Sequence, residues 1–510
     1  MNAQRTTSRS LRLPTSIRRL LAPALCTVGT AAVVLSGCQP GAFLDLEDQA
    51  PVIALGRPAK FRRTGYGANV AAVEGRLRNG ELATRLAVGG GPDTGTWLYD
   101  IWNADDIGTF GISNTACETP ADDCVIGTGS AITGIAAFAN EGTCVAIGEA
   151  AADQVRVKCE TLPSAAFATS TGAQSGLEFG FAIAAVPEGS VADTRAVMLV
   201  GAPAAGSDLG SFYRVPPGGG APVELGEVSA TPGVVTTGAR LGETIAAASL
   251  PAVDTLITNF PTVPRITVLT PFLAAISAPG QNRVVIAAIG VDPIDPTDID
   301  AQVLACLDGA AGFGQVLAAG DMNGDGLPEI YIGYDESTPD HPGTVKVFDL
   351  ADLNALEAGC ADTTNADDPS ISIIECPTLE GVDCTDGAFG SAIALGDVDA
   401  DGTLDLIVGA PRMTVDNKLG AGGVFAIAGT ATGVDSANAS FMRIANPGTD
   451  DRLGASVAAL RTHYGISGVT PRHEVAAGAP GANTAFIFLC SGLGGDSSTT
   501  GNRCLELATE

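Results

Sequence analysis

The sequence predicts an all-β fold, a seven-bladed β-propeller, from three observations. A short motif of a large apolar residue, a glycine and a run of small residues occurs seven times. A second landmark, a β-branched run ending in Gly-Ala-Pro, follows most copies by about 20 residues. The composition suits strands packed closely around an axis: 65 of 510 residues are glycine and only 16% are charged, against about 25% in ordinary domains. A 45% hydrophobic share and a mean hydropathy of +0.26 supply a large core and exclude a disordered chain.

The chain opens on Arg5, Arg9, Arg12, Arg18 and Arg19 with no acid before residue 45. An apolar stretch from Leu20 to Leu35 follows, broken by Pro23 and too short for a convincing membrane span. A basic segment, an apolar segment and then small residues form an export signal. The stretch ends Leu35-Ser36-Gly37-Cys38, which resembles the lipobox of bacterial lipoprotein precursors. That resemblance implies cleavage before Cys38, lipidation of that cysteine, and Gln39 at the position that influences sorting to the outer membrane. The alternative is an ordinary signal peptide with an incidental cysteine. The expected organisation is a signal peptide over 1–37, a lipidated tether over 38–50 and one propeller over 51–510.

The repeats follow. The clearest copies are Phe179-Gly180, Phe313-Gly314, Phe389-Gly390 and Leu453-Gly454, each leading into a small-residue strand. Weaker copies start at Tyr66-Gly67, Thr128-Gly129 and Leu241-Gly242, so the interval varies from 51 to 76 residues. The second landmark is clean at Gly201-Ala202-Pro203, Gly409-Ala410-Pro411 and Gly478-Ala479-Pro480. Degenerate versions are read at Gly90-Gly91-Pro92, Gly148-Glu149-Ala150, Thr270-Pro271 and Gly333-Tyr334. A third, alternating segment follows each, as in Gly343–Asp349, Ser211–Val215 and Thr484–Phe488, with an outer strand such as Ser370–Ile374. Three or four strands in about 60 residues make one propeller blade. Closing the ring requires residues 51–63 to complete the last blade beside the strand from Thr484.

The Phe-Gly … Gly-Ala-Pro layout resembles FG-GAP repeats, the unit of the seven-bladed propeller at the N-terminus of integrin α chains. It covers about residues 50–510, and Ala42–Leu46 is similar to the short lead of those chains.

Two repeats carry an acidic loop directly after the inner strand. One is Asp321-Met322-Asn323-Gly324-Asp325-Gly326-Leu327-Pro328-Glu329; the other runs Asp397, Asp399, Asp401, Gly402, Thr403, Asp405 in the same spacing. Oxygens at positions 1, 3 and 5, a glycine at 6, a backbone carbonyl at 7 (Leu327, Thr403) and a carboxylate at 9 suit a hard cation. Both flanks read as strands, which separates these loops from EF-hands. The resemblance implies Ca²⁺, one ion per loop, with a mainly structural role. Glu329 stands where aspartate is more usual. The alternative reading is a solvated acidic hairpin turn.

Ten cysteines follow Cys38: Cys117, Cys124, Cys144, Cys159, Cys306, Cys360, Cys376, Cys384, Cys490 and Cys504. An even number in an exported chain points to disulfides, and clustering favours neighbours, although spacing leaves the connectivity open. None forms a CxxC pair.

Other features carry less. The net charge of −30 argues against nucleic-acid binding, which needs clustered Lys and Arg. Removing residues 1–37 takes away five arginines and leaves a charge near −35. Gly89–Gly91 and Gly218–Gly220 lack the lysine of a phosphate-binding loop. His341 and His463 read as loop residues, His473 beside Glu474 as a surface pair, and Trp97 and Trp102 as blade-face residues. The acidic run 292–300 and the segment 350–388 read as surface insertions, hence candidate partner surfaces. The function expected is a lipid-anchored, calcium-binding envelope module that binds a protein or glycan in adhesion, not an enzyme. An extracellular hydrolase or lyase and a purely structural envelope protein are the alternatives.

Overall fold

The structure, a computed structural model, describes residues 52–56, 65–76, 82–90, 96–103, 110–113, 125–126, 133–139, 143–159, 168–172, 175–185, 198–216, 221–225, 233–250, 271–291, 299–334, 343–350, 360–363, 371–377, 384–399, 401–462 and 472–488. All belong to one compact unit, Pro51–Glu510; the other unit, Met1–Ala50, contains Cys38 and lies outside the described residues.

Among the described residues the strands form seven antiparallel sheets in chain order, with one short parallel addition. Sheet one comprises Asn69–Arg76, Leu82–Gly89, Thr96–Asn103 and Phe110–Ser113, with Val125–Ile126 beside the third strand. Sheet two comprises Gly134–Ala139, Thr143–Glu149, Gln154–Cys159 and Ala168–Thr171. Sheet three comprises Ile183–Ala185, Met198–Ala202, Ser211–Val215 and Val223–Glu224. Sheet four comprises Ile245–Ser249, Pro271–Ala278, Arg283–Val291, Ile299–Asp308 and the short Ala361–Asp362. Sheet five comprises Val316–Gly320, Glu329–Tyr334, Thr344–Asp349 and Ile371–Glu375. Sheet six comprises Ala392–Gly396, Asp405–Ala410, Gly423–Thr430 and Gly433–Met442. Sheet seven comprises Ser456–Thr462, Arg472–Ala479, Thr484–Phe488 and, from the other end of the chain, Val52–Gly56.

The first strands of successive sheets pack side by side in order, and Asn69–Arg76 of sheet one meets Ser456–Thr462 of sheet seven. This is a β-propeller. As the closure argument requires, Val52–Gly56 pairs antiparallel with Thr484–Phe488, Val52 opposite Phe488.

Repeated residues have repeated physical jobs. Tyr66, Phe179, Leu241, Phe313, Phe389 and Leu453 are all fully buried. The aromatic ones meet the third strand of their own sheet. Phe179 packs edge-on against Tyr213, Phe313 against Phe348 and Phe389 against Phe425, while the Tyr66 and Tyr99 hydroxyls share a 2.7 Å hydrogen bond. The glycine that follows turns the chain with positive φ, +96° at Gly180, a conformation costly to other residues. Its N–H donates to Gly201 of the same sheet at 3.0 Å. Gly201 in turn faces the next sheet: a Cβ there would lie 1.8 Å from the carbonyl oxygen of Gly242. The same approach joins Gly148 to Gly180, Gly333 to Gly390 and Gly409 to Gly454. The core is correspondingly interfacial, since six apolar clusters each lie between two neighbouring sheets.

The structure corrects three registers. In sheet two the strand begins at Gly134, so Ile135-Ala136, not Ile132-Thr133, correspond to Ile183-Ala184; Gly129 lies outside the described residues. The sequence Ala131-Ile132-Thr133-Gly134-Ile135-Ala136 permits both frames. Pairing settles it, because Thr133 N–H donates to Gly148 and its hydroxyl to the Gly180 carbonyl at 2.9 Å. In sheet four the second landmark is Ser277-Ala278-Pro279, not Thr270-Pro271: Gly242 N–H donates to the Ser277 carbonyl, and Pro271 starts the strand. In sheet one the accepting glycine is Gly89, one residue before the position expected.

The supposed insertions are partly structural. Asp300 lies in the strand Ile299–Asp308. Within 350–388, Ala361–Asp362 pairs parallel with that strand and Ile371–Glu375 is the outer strand of sheet five. Cys306–Cys360 and Cys376–Cys384 are disulfides with Cα separations of 4.6 and 6.4 Å. Cys144 is also disulfide-bonded, and its register partner across the sheet is Cys159. Cys117, Cys124, Cys490 and Cys504 lie outside the described residues. Disulfides persist in oxidising surroundings, which together with the repeats points to an extracellular or surface protein.

Candidate metal centre

The two acidic loops occupy the same place in sheets five and six. Each leaves the sheet after its first strand's last register pair, Gly320 with Glu329 and Gly396 with Asp405. Glycines in both loops have positive φ, +89° at Gly326 and +92° at Gly402, which lets the chain curl back over its own carboxylates.

In the first loop, one carboxylate oxygen from each of Asp321, Asp325 and Glu329 lies within 4.8 Å of the others. Backbone amides organise them. Asp321 accepts from Gly324 and Gly326, Asn323 Oδ1 from Asp325, and Asp325 Oδ1 from Leu327. Glu329 Oε2 accepts from Met322 N–H at 2.7 Å, while Glu329 Oε1 is buried with no hydrogen-bond partner. In the second loop the convergent group is Asp397, Asp399 and Asp405. Asp401 stands outside that triad; its Oδ1 accepts from Thr403 N–H at 2.7 Å. Asp405 Oδ2 accepts from Val398 and Asp399, and Oδ1 from Gly429 at 2.9 Å. Glu329 thus reproduces the second-position amide contact made by Asp405.

The electrostatics of the two buried position-nine carboxylates are alike. Glu329 is 5% and Asp405 3% exposed. Burial pushes the Glu329 carboxyl up to about 7, with the charges of Asp349 and Asp321 adding to it against the opposing amide bonds. Burial likewise pushes Asp405 up to about 7, with Asp399 adding to it. Asp399 is raised too, by burial and then by Asp401. Anionic oxygens converge here, and the buried Glu329 Oε1 has no donor. That donor set fits a hard divalent cation. Asp321, Asn323, Asp325, the Leu327 carbonyl and Glu329 would hold one ion; Asp397, Asp399, Asp401, the Thr403 carbonyl and Asp405 would supply the second site. Such an ion would neutralise the clustered charge and lock the loop.

Sequence reasoning missed the residues beyond the loops. Asp349, opposite Glu329 in register, accepts from Asn323 Nδ2 at 3.2 Å. Met322 is buried against sheet six, near Gly429, and receives the Tyr331 hydroxyl on its sulfur at 3.2 Å. His473 is half-buried and reaches the second loop. Its Nδ1 accepts from Asp397 N–H at 3.0 Å, its own N–H donates to the Asp397 carbonyl at 2.6 Å, and Glu474 is fully buried. A sequence signal for Glu474 exists: it precedes Gly478 by four residues, as Glu329 precedes Gly333 and Asp405 precedes Gly409. In sheet seven, however, pairing continues through Arg461–His473 and Thr462–Arg472, so Glu474 lies two register pairs inside the end of the ladder, whereas Glu329 and Asp405 stand at its end. His341 and His463 lie outside the described residues; Trp97 and Trp102 lie in the strand Thr96–Asn103.

The FG-GAP repeat family model matches residues 313–348 and 389–426, the two repeats that carry the acidic loops. No curated protein matches the chain. Among solved structures, a catalytically inactive virginiamycin B lyase from Staphylococcus aureus with quinupristin is similar at a TM-score of 0.42 and 10% identity, covering 86% of this chain and 98% of that one. The Dos1 propeller scores 0.38 at 8% identity, covering 86% and 96%. Similarities of this size carry no functional inference. Repeats, pairing and family match agree on one point: the chain is a β-propeller that carries FG-GAP repeats.

Proposed function

We propose that the seven sheets are seven blades of one closed ring, and that the protein is a calcium-binding, lipid-anchored envelope propeller serving as a protein- or glycan-binding adhesion module. The observation that carries the calcium reading is the pair of acidic loops, identical in place, each closing on a buried position-nine carboxylate. Calcium holds extracellular modules of this type at about 10⁻⁴–10⁻³ M. Its role here is structural: it fixes hairpins whose carboxylates otherwise repel. A propeller so rigidified presents its connecting loops as a stable binding rim.

The anchor reading rests on Leu35-Ser36-Gly37-Cys38. Mass spectrometry of the mature protein should find Cys38 at the N-terminus carrying acyl chains; an unmodified terminus elsewhere would refute the anchor. The binding reading is tested by a pull-down from envelope fractions with the soluble propeller, run with calcium and with chelator. A partner retained only with calcium supports an adhesion module. Retention of nothing under either condition favours the purely structural alternative.

A further inference from the structure

We propose that His473 is a positioning residue that couples cation binding at the second loop to the docking of sheet seven, the sheet that closes the ring. The proposal rests on the calcium reading above.

Asp397 is the first residue of the second loop and belongs to its carboxylate triad. Its backbone is gripped from the neighbouring sheet on both sides of the residue: Asp397 N–H donates to His473 Nδ1 and the Asp397 carbonyl accepts from His473 N–H. The two residues are 76 positions apart. The fit is close, because a Cβ on Gly396 would lie 2.5 Å from the Ala459 Cβ and 3.1 Å from His473 Cβ. The next loop residue, Val398, is buried in the same apolar cluster as Val457, Val475 and Ala477 of sheet seven. The loop therefore lies against sheet seven through one backbone–side-chain and one backbone–backbone hydrogen bond and a buried side chain.

Among the described residues the first loop has no such grip. The residue preceding its neighbour's position-nine carboxylate is Leu404, whose methyl would lie 3.3 Å from a Cβ on Gly320. An apolar contact there sets no orientation for the Asp321 backbone. His473 makes the second site specific in this respect, and sheet seven is the one assembled from both ends of the chain. A cation that orders Asp397 must then also favour the docked state of sheet seven, and docking must favour the cation, because such coupling is reciprocal.

The test uses the full propeller with the first site disabled by Asp321→Ala and Asp325→Ala, titrated with CaCl₂ by calorimetry. His473→Ala should weaken the remaining site by about 10-fold, the size typical of losing an outer-sphere partner of a ligand. His473→Asn, which can again accept from Asp397 N–H, should recover most of that loss; a merely structural role would not be rescued this way. In the otherwise native chain, hydrogen exchange of Ser456–Thr462 and Arg472–Ala479 should slow on adding calcium, and slow less in His473→Ala. Unchanged affinity in His473→Ala, or exchange in sheet seven indifferent to calcium, overturns the coupling while leaving calcium binding standing. Absence of any calcium binding in the native chain overturns both.

Discussion

A Cβ built on Gly478 would lie 1.7 Å from the carbonyl oxygen of Gly67, two residues at opposite ends of the folded unit. Nearby, Ser456 Oγ donates to that same carbonyl at 3.0 Å and Asn483 Oδ1 accepts from Gly65 N–H at 2.8 Å. Gly478→Ala should therefore force sheet seven away from sheet one. Overpacking of this kind costs about 1–3 kcal/mol. Calorimetry should show a lower thermal midpoint; an unchanged midpoint would mean the two sheets separate freely at that point.

Calcium should raise the thermal midpoint in two separable parts. Asp321→Ala should remove the contribution of the first loop, Asp397→Ala that of the second, and the double variant both. At a free concentration 100-fold above the dissociation constant, each site adds up to about 2.7 kcal/mol. Differential scanning fluorimetry with calcium and with chelator checks this. Magnesium should do less, because it demands tighter octahedral geometry and retains its water.

The calcium-free protein should lose stability as pH rises. Glu329 and Asp405 ordinarily titrate at 4.5 and 3.8, and in the fold both are pushed up to about 7. A carboxyl with a raised folded-state pKa binds its proton more tightly when folded. Its stabilisation is complete below the unfolded value and is lost as pH climbs through about 7, with a slope of at most about 1.4 kcal/mol per pH unit for each group. Urea unfolding in chelator from pH 4 to 8 measures it, and Glu329→Gln should flatten the slope. Saturating calcium should oppose the trend, because ligand carboxylates must be ionised.

Cys306 and Cys360 close a loop of 54 positions and tie Ala361–Asp362 to sheet four. Replacing both by serine should cost about 2–4 kcal/mol. Hydrogen exchange should rise first in Ile299–Asp308 and Ala361–Asp362, and a uniform rise across all sheets would contradict this local role.

Much of the fold was legible in the chain because each blade reuses the same physical devices. A buried large residue, a positive-φ glycine and a glycine at the sheet-to-sheet approach leave a fixed spacing that can be read directly. The strands Ser211–Val215 and Thr484–Phe488 emerge with the bounds expected. Reading failed where a residue type no longer marks its job. Thr133 stands where Phe181 stands and donates to Gly148 as Phe181 does to Gly201, and Ser277 stands where Gly201 and Gly409 stand in their sheets. Only backbone pairing reveals these substitutions.

The sequence by itself determined the all-β repeat and the two acidic loops, since these are local patterns in residue type and spacing; it favoured neighbouring cysteines, and the structure fixed Cys306–Cys360 and Cys376–Cys384. The tertiary structure decided what depends on the adjacent sheet. It buried Glu329 and Asp405 so that their carboxyls resist ionisation, set Gly478 against Gly67, and carried His473 across 76 positions to grip Asp397. Desolvation and close backbone approach are properties of neighbours in space, and no spacing along the chain encodes which neighbours those will be.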